Sequence, residues 1–214
     1  MTTVIADMSM TLDGFVADPA DRIDHVFTWY HKGRETVTMP GGVREFRIGK
    51  GSADELRAAL ASAGAMVCGR RMFDLTNGWD GQPPIGVPVY VVTHTAPDDW
   101  AHPDAPFTFV TDGLDSAITR AKATAGDKNV VIACPTIAQQ CLNAGLLDAI
   151  RLSVVPVLLG EGVRFFDNLH GTPIELDDHP RVTEGIGVTH LWYRVKKPTG
   201  RTASPLENGA DSSP

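Results

Sequence analysis

The order of its apolar patterns is the feature of this sequence that most restricts its fold. Strand-like and helix-like segments alternate as far as residue 156, and only strand-like segments follow. Alternating strands and helices are typical of a parallel sheet, whereas consecutive strands form antiparallel hairpins. The sequence therefore predicts an α/β fold with a mixed sheet, parallel at its centre, ending in an antiparallel C-terminal hairpin and flanked by helices.

The predicted strands are short runs of apolar and β-branched residues bounded by turn residues. They cover residues 3–10, 15–17, 65–69, 87–93, 129–133, 149–156, 173–184 and 187–195. A helix is expected from Ser52, which forms a capping box with Glu55, as far as Gly64. Two further helices are marked by inward-facing apolar residues: Leu114, Ala117, Ile118 and Ala121 in one, and Ile137, Ala138, Cys141 and Leu142 in the other. Residues 18–51 are expected to form a long loop with a short aromatic helix at 25–30.

Composition limits the class of protein. With 43% hydrophobic and 21% charged residues, the 214-residue chain resembles an ordinary soluble domain, and we expect one domain over 1–196 and a flexible tail over 197–214. No apolar run reaches the roughly 20 residues that span a bilayer, and no export signal begins the sequence, which favours a cytoplasmic protein. The net charge of −7 argues against nucleic-acid binding.

The three cysteines give no sign of a metal site. Cys68, Cys134 and Cys141 lack both CxxC spacing and a matching histidine pattern, so we expect reduced thiols and no bound metal. A helix start at Cys134 could lower the pKa of its thiol and make it reactive, but the sequence places no base beside it. An inert thiol is the favoured interpretation.

Several segments occur in an order typical of one known family. They are residues 8–14 (MSMTLDG), 69–74 (GRRMFD), 88–94 (PVYVVTH), 144–148 (AGLLD) and 156–162 (PVLLGEG), with the turns WDG at 79–81 and PP at 83–84. Over most of residues 3–195 the chain resembles the dihydrofolate-reductase-like family, which includes the reductase domain of bacterial riboflavin-biosynthesis enzymes and stand-alone relatives.

The resemblance implies an NADPH-dependent reductase. Its substrate would be a small molecule, heterocyclic or containing a carbonyl or imine, and the protein would be bacterial and homodimeric, without nucleic-acid or membrane partners. The cofactor carries the reactive hydride, so the protein has chiefly to bind and orient. The alternative is a non-catalytic protein of the same fold that binds a nucleotide or other small ligand with an altered phosphate loop.

The first group of candidate cofactor residues follows two predicted strands. Gly69, Arg70 and Arg71 stand where a strand ends and a helix begins, and glycine, helix amides and guanidinium groups all suit a phosphate. The resemblance places Arg70 and Arg71 at the adenosine-ribose phosphate of NADPH. It places Thr93 and His94 near the same phosphate. Solvated side chains are the structural alternative for Arg70, Arg71 and His94.

The second group follows the strand at 129–133. Where the family has a Gly-Gly pair against the pyrophosphate, this chain has Ala133 and Cys134, whose Cβ atoms could obstruct the phosphate. Thr136 and Gln139 can form a capping box there, so a helix start still faces the ligand. In relatives a glycine-rich stretch also borders the cofactor, which makes Gly160 and Gly162 candidates for the wall of the site.

Candidate substrate residues come from the N-terminal part of the chain. Asp13 lies in the segment that resembles the family's Ser-Leu-Asp-Gly pattern and is the catalytic candidate, since a carboxylate near the nicotinamide could assist proton delivery. Asp13 could equally be a turn residue before Gly14. Asp24 and Trp29 are candidates for lining the substrate pocket, although an aromatic residue in this pattern is more often part of the core.

Overall fold

The computed structural model describes residues 2–41 and 44–197. In chain order the described residues form β1 (Val4–Thr11), β2 (Phe15–Ala17), β3 (Glu35–Thr38), β4 (Glu45–Ile48), α1 (Lys50–Ser62), β5 (Ala63–Gly69), α2 (Arg70–Leu75), β6 (Val89–Val92), β7 (Phe107–Val110), α3 (Leu114–Ala125), β8 (Asn129–Ile132), α4 (Pro135–Asn143), β9 (Ala149–Val155), β10 (Val163–Arg164), β11 (Arg181–Gly185) and β12 (Val188–Arg194). The expected flexible tail lies outside these residues apart from Lys197.

Within the described residues, eight strands form the main sheet in the order β11-β12-β9-β1-β8-β5-β6-β7. The six strands from β9 to β7 are parallel, and β12 and β11 are added antiparallel at one edge. The predicted mixed sheet with an antiparallel C-terminal hairpin is confirmed. Two small antiparallel pairs, β2 with β10 and β3 with β4, lie beside it.

The centre of the sheet is buried on both faces, which explains why β5 and β8 are almost wholly apolar. Val4 in β1, Val67 in β5, and Val130 and Ile132 in β8 are completely buried. Most of the residues predicted to face inward from α3 and α4 are buried against this sheet: Ala117, Ile118, Ala121, Ile137, Ala138 and Cys141. Helical periodicity therefore identified the contact faces of both helices correctly.

The capping box predicted at the start of α1 is wrong. The helix begins at Lys50, after Gly49, and no side chain caps it. The Ser52 hydroxyl instead contacts His190 Nε2 at 2.8 Å, and Glu55 Oε1 accepts a hydrogen bond from the Thr183 hydroxyl at 2.8 Å. Ser52 and Glu55 thus bond to residues of the C-terminal hairpin and do not cap the helix, although the sequence pattern allows the cap.

The expected end of α1 and the second capping box are also wrong. Gly64 lies inside β5, where a Cβ would come within 2.8 Å of the Ala125 backbone, so it is a packing glycine. No side chain caps α4. Gln139 in that helix donates to the Phe165 carbonyl at 2.9 Å rather than closing a capping box with Thr136.

Residues 18–51 contain more structure than the expected loop. Two short 3-10 helices, Asp24–Val26 and Thr28–His31, precede the β3–β4 hairpin. Conversely, the expected strand at 173–184 is reduced to β11 and one isolated bridge between Leu176 and Val195. Turn residues and prolines interrupt residues 173–184. The edge strand β7 was not predicted, because its apolar run is too short to identify from the pattern.

No helix in the described part of the chain is long and apolar enough to cross a membrane. Across the same residues, there is no group of three or more His, Cys, Asp or Glu side chains that could hold a metal ion. Cys68, Cys134 and Cys141 are free and buried.

Candidate functional site

One large cleft, with a volume of about 1620 Å³, is the candidate site. It runs from the carboxyl ends of β5, β6 and β8 to a region between α1 and the polar side chains of β1, β9 and β12. Open α/β sheets bind ligands at the carboxyl ends of their strands. The volume exceeds the roughly 300–1,000 Å³ that is usual for one small ligand, so the cleft has room for two.

Arg70 and Arg71 both line the cleft at the start of α2, next to Gly69. Arg70 donates from Nε to Asp74 at 2.7 Å and from Nη1 to the Thr95 carbonyl at 3.0 Å. Arg71 forms an ion pair with Asp21, on the loop after β2. Its side chain is nevertheless 74% exposed, so the guanidinium group is accessible to a ligand.

Thr93 and His94 follow β6 and also line the cleft. The Thr93 hydroxyl donates to the Thr95 carbonyl at 2.9 Å and so closes a tight turn. Because Arg70 binds the same carbonyl, this turn and the Arg70 guanidinium are held together. The structure thus brings the two predicted phosphate elements, from β5 and β6, to one place.

Ala133, Cys134 and Thr136 line the cleft at the junction of β8 and α4. Cys134 has φ −140° and ψ 149°, an extended conformation that any residue adopts, so the loss of glycine does not prevent this backbone. The Cys134 side chain is buried, and its sulfur accepts a hydrogen bond from the Gly69 N–H at 3.2 Å. Burial raises the pKa of this thiol, which agrees with the inert interpretation.

The Asp13 carboxylate makes hydrogen bonds that join its turn to the turn at Gly160. It accepts hydrogen bonds from the Thr11 hydroxyl at 2.5 Å and from the N–H groups of Gly160 and Leu159 at 2.7 and 3.0 Å. These donors, the Thr11 hydroxyl above all, lower the pKa of Asp13. Asp13 is absent from the described residues that line the cleft. The geometry favours the turn role over proton delivery.

Gly160 and Gly162 likewise do not occur among the described lining residues. Gly162 has φ +138°, and a Cβ there would lie 2.2 Å from the Ala17 carbonyl oxygen. Close approach of β10 to β2 therefore requires this glycine. Gly160 supplies the N–H that Asp13 binds. In the structure both glycines therefore lie with Asp13, in the turn that precedes β10, and not beside Arg70 and Arg71.

Asp24 and Trp29 line the cleft from the two 3-10 helices. Asp24 is exposed. Trp29 is buried, and its indole N–H donates to the Ser9 hydroxyl at 3.2 Å. Trp29 also contacts His190 edge-on, with ring centroids 5.1 Å apart. Trp29 is therefore both part of a core cluster and part of the cleft wall.

Two rows of polar side chains across β1, β9 and β12 were missed by the sequence analysis. Asp7 lies in register with Arg151, to which it is ion-paired, and Ser9 lies in register with Ser153 and His190. All five residues line the cleft. Their signal was the alternation of polar with apolar residues in β1 and β9, which points polar groups at one face of a buried sheet.

His190 is held between two hydroxyl groups. Its Nε2 lies 2.8 Å from the Ser52 hydroxyl and its Nδ1 lies 2.9 Å from the Ser153 hydroxyl. Burial lowers the pKa of His190, and the nearby Arg151 adds to that effect, while Glu55 and Asp7 oppose it. We therefore expect a neutral imidazole at pH 7.

Aromatic rings also line the cleft, beside the polar rows. The Tyr30 ring stacks on Phe46 with centroids 4.0 Å apart and on Phe27 at 5.0 Å, both with planes inclined by 14°. All three rings line the cleft. Burial raises the pKa of the Tyr30 phenol, and the Asp7 carboxylate adds to this, so the hydroxyl keeps its proton.

The family model described as the RibD C-terminal domain matches residues 2–187. No curated protein matches the sequence significantly. Many solved structures have the same fold.

Three solved structures illustrate the similarity. A protein from Shewanella sp. PV-4, provisionally described as a riboflavin biosynthesis protein, has a TM-score of 0.66 at 23% identity and covers 92% of this chain and 99% of its own. The Thermotoga maritima diaminohydroxyphosphoribosylaminopyrimidine deaminase/5-amino-6-(5-phosphoribosylamino)uracil reductase has a TM-score of 0.59 at 12% identity, covering 91% of this chain and 57% of its own. Enterococcus faecalis dihydrofolate reductase, complexed with NADP(H), has a TM-score of 0.54 at 12% identity, covering 90% and 96%. At these identities the similarity establishes the fold alone.

Proposed function

The chain belongs to the RibD C-terminal domain family, a family of reductases, and from this premise we propose that it is an NADPH-dependent reductase. The reaction would transfer a hydride to a small substrate that is heterocyclic or contains a carbonyl or imine group. We propose further that residues 1–196 act as one domain and that two copies form a homodimer.

The observation that carries the proposal is the convergence of anion-binding groups at one end of the cleft. Arg70, Arg71 and the turn at Thr93 lie beside the start of α4, whose N-terminal amides present a positive dipole end. A phosphate-bearing cofactor fits such a donor set. Cys134 does not block it, because its sulfur is turned toward the Gly69 N–H.

The proposed division of labour follows from the lining of the cleft. Arg70, with Thr93 and His94, would hold the 2′-phosphate, while the amides at Thr136 would face the pyrophosphate. The cofactor supplies the hydride when bound. The chain's own contribution is to hold the acceptor in position and to exclude water, which apolar residues such as Met66 and Val131 in the cleft favour.

The first experiment is a titration of the wild-type protein with NADPH and NADH, followed by thermal unfolding and calorimetry. NADPH should raise the melting temperature, because a ligand at about 100 times its Kd stabilises the folded state by about 2.7 kcal/mol. NADH should do so only at higher concentration. Stabilisation by neither cofactor would favour the non-catalytic ligand-binding alternative.

Arg70→Ala tests the assignment of the 2′-phosphate. We expect it to weaken NADPH binding at least about tenfold and NADH binding much less, because a charge-assisted hydrogen bond contributes about 1.5–3 kcal/mol. Arg120→Ala is the matched control, since Arg120 pairs with Asp112 on the exposed surface and does not line the cleft among the described residues. Equal losses for both cofactors would remove the assignment.

A further inference from the structure

Arg71 is paired with a carboxylate that comes from another part of the chain. Its partner Asp21 lies on the loop after β2, 50 residues away in sequence, and both side chains line the cleft. The neighbouring Arg70 is paired instead with Asp74 of its own helix. Asp74 is absent from the described residues that line the cleft. Of the two adjacent arginines, Arg71 therefore has its counter-charge inside the cleft and Arg70 has it outside.

The Asp21–Arg71 pair crosses the carboxyl end of β8. In the main sheet β8 lies between β1 and β5. The loop that carries Asp21 follows β1 and β2, whereas Arg71 lies in the first turn of α2, directly after β5. A contact between these two segments therefore passes over the strand between them. The start of α4, where the pyrophosphate is proposed to bind, follows β8, so the pair lies over that part of the cleft.

The loop that carries Asp21 is closed by the buried carboxylate of Asp18. That carboxylate accepts hydrogen bonds from the N–H groups of Ala20 and Arg22 at 2.8 and 3.0 Å, and from Arg22 Nε at 2.6 Å. The Asp21 N–H donates to the Asp18 carbonyl at 3.0 Å. Asp21 itself has φ +60°, which is uncommon for a residue other than glycine. The turn is therefore a defined structure that presents the Asp21 carboxylate to Arg71.

Asp21 is the more shielded member of the pair. Its side chain is 22% exposed, and among the described residues its carboxylate accepts a hydrogen bond from Arg71 alone. The Arg71 guanidinium has further N–H groups, but a phosphate bound to them would lie next to the Asp21 carboxylate. Water screens charges less in a partly buried place than at an open surface, so the two anions would repel each other. Asp21 and a phosphate are therefore expected to compete for Arg71.

We propose, taking the reductase function above as its basis, that Asp21 is an internal competitor of the cofactor's pyrophosphate for Arg71. Binding exchanges the ion pair with Asp21 for one with the pyrophosphate and releases the loop at 18–22 from α2. Asp21 thus lowers the affinity for the pyrophosphate and leaves that for the 2′-phosphate, at Arg70, unchanged. Ile23 and Asp24, which follow the loop and line the cleft, become free to adjust when the cofactor binds.

Two adenine nucleotides test the competition, because each carries one of the two phosphate groups: ADP the diphosphate, and adenosine 2′-monophosphate the 2′-phosphate. Calorimetry at low salt should show that Asp21→Asn tightens ADP binding about threefold, the effect of one partly exposed ion pair, and leaves binding of the 2′-monophosphate unchanged. Asp74→Asn is the matched control, since it removes the same charge from beside the adjacent arginine, outside the described cleft lining. Unchanged or weaker ADP binding by Asp21→Asn overturns the inference, as does an equal gain in Asp74→Asn.

Trypsin cleavage after Arg22 tests the release of the loop in the wild-type protein, and it decides the matter even if Asp21→Asn does not fold. The Arg22 side chain is 68% exposed, so cleavage depends on how often the loop opens. Saturating ADP should raise the rate of cleavage after Arg22 at least about threefold. Cleavage after Lys128, in an exposed turn outside the described cleft lining, is the internal control. An unchanged or slower rate after Arg22 contradicts the exchange of partners.

Failure of this inference is distinguishable from failure of the proposed function. If NADPH stabilises the protein more than NADH does while Asp21→Asn does not tighten ADP binding, the reductase assignment stands and the inference fails. If Asp21→Asn tightens ADP binding while neither NADPH nor NADH stabilises the protein, Asp21 does compete for a diphosphate at Arg71 and the reductase assignment fails.

Discussion

At the scale of single residues, Gly185 makes room for the contact between Ser52 and His190. A Cβ at position 185 would lie 2.1 Å from the Ser52 hydroxyl oxygen, 2.7 Å from Val188 Cγ1 and 3.3 Å from His190 Nε2. The side chains cannot all be kept in place at such distances. The histidine in the cleft therefore depends on a glycine in the C-terminal hairpin.

Gly185→Ala should lower the free energy of unfolding by about 1–3 kcal/mol, the usual cost of overpacking a well-packed site. Urea unfolding monitored by circular dichroism measures it. Ser52→Ala removes the closest atom. The free energy of unfolding should therefore fall less in the double variant than the sum of the decreases in the two single variants. Strict additivity would show that the clash with Ser52 is not the cause.

At the scale of secondary-structure elements, α4 is tied to the segment that carries β10. Gln139, which is buried, donates from Nε2 to the carbonyl oxygens of Phe165 at 2.9 Å and Arg164 at 3.3 Å. Phe165 is itself fully buried in the main core. The start of α4, where the phosphate is proposed to bind, is thus held by a partner distant in sequence.

Gln139→Ala should lower the free energy of unfolding by about 1–3 kcal/mol, because the buried Phe165 carbonyl loses its donor. The adjacent Gln140→Ala is the matched control, since Gln140 is exposed and such a change is usually worth less than about 0.5 kcal/mol. Chemical denaturation of both variants gives the comparison. Because alanine has a higher helix propensity than glutamine, similar losses in the two variants would show that the tie to Phe165 is not responsible.

At the scale of the whole molecule, acidic pH should weaken the fold through His190. Burial lowers its pKa in the folded state, so the unfolded chain takes up a proton that the folded protein excludes. The free energy of unfolding should therefore fall as the pH decreases below about 6.5, the value of an unperturbed histidine, and continue to fall to the folded-state pKa. Above pH 6.5 this contribution is absent.

Denaturation at a series of pH values between 7.5 and 5 measures the effect. His190→Gln should flatten the curve in this range, whereas His179→Gln, an exposed histidine, should leave its slope unchanged. Buried or hydrogen-bonded carboxylates such as Asp13 and Asp18, whose pKa values are lowered, act only at more acidic pH. A wild-type slope in His190→Gln would contradict the role of His190.

Much of the end of the cleft at α2 could be located from the sequence. Gly69, Arg70 and Arg71 follow one strand and Thr93 follows the next, and parallel strands bring their carboxyl ends to one edge. The part of the cleft between α1 and the polar rows of β1 and β9 could not be located in this way. It joins Asp7 with Arg151, which are 144 residues apart, and Ser52 with His190, which are 138 apart.

The sequence by itself determined the α/β class, the parallel centre of the sheet and the buried faces of α3 and α4, because these follow from local periodicity and apolar runs. The tertiary structure decided which of the possible hydrogen-bond partners each polar side chain contacts. Ser52 could cap its helix but contacts His190 instead, and Asp13 could face a substrate but holds the Gly160 turn. The physical reason is that a side chain has few hydrogen bonds to make, and only the packed fold brings the competing partners within reach.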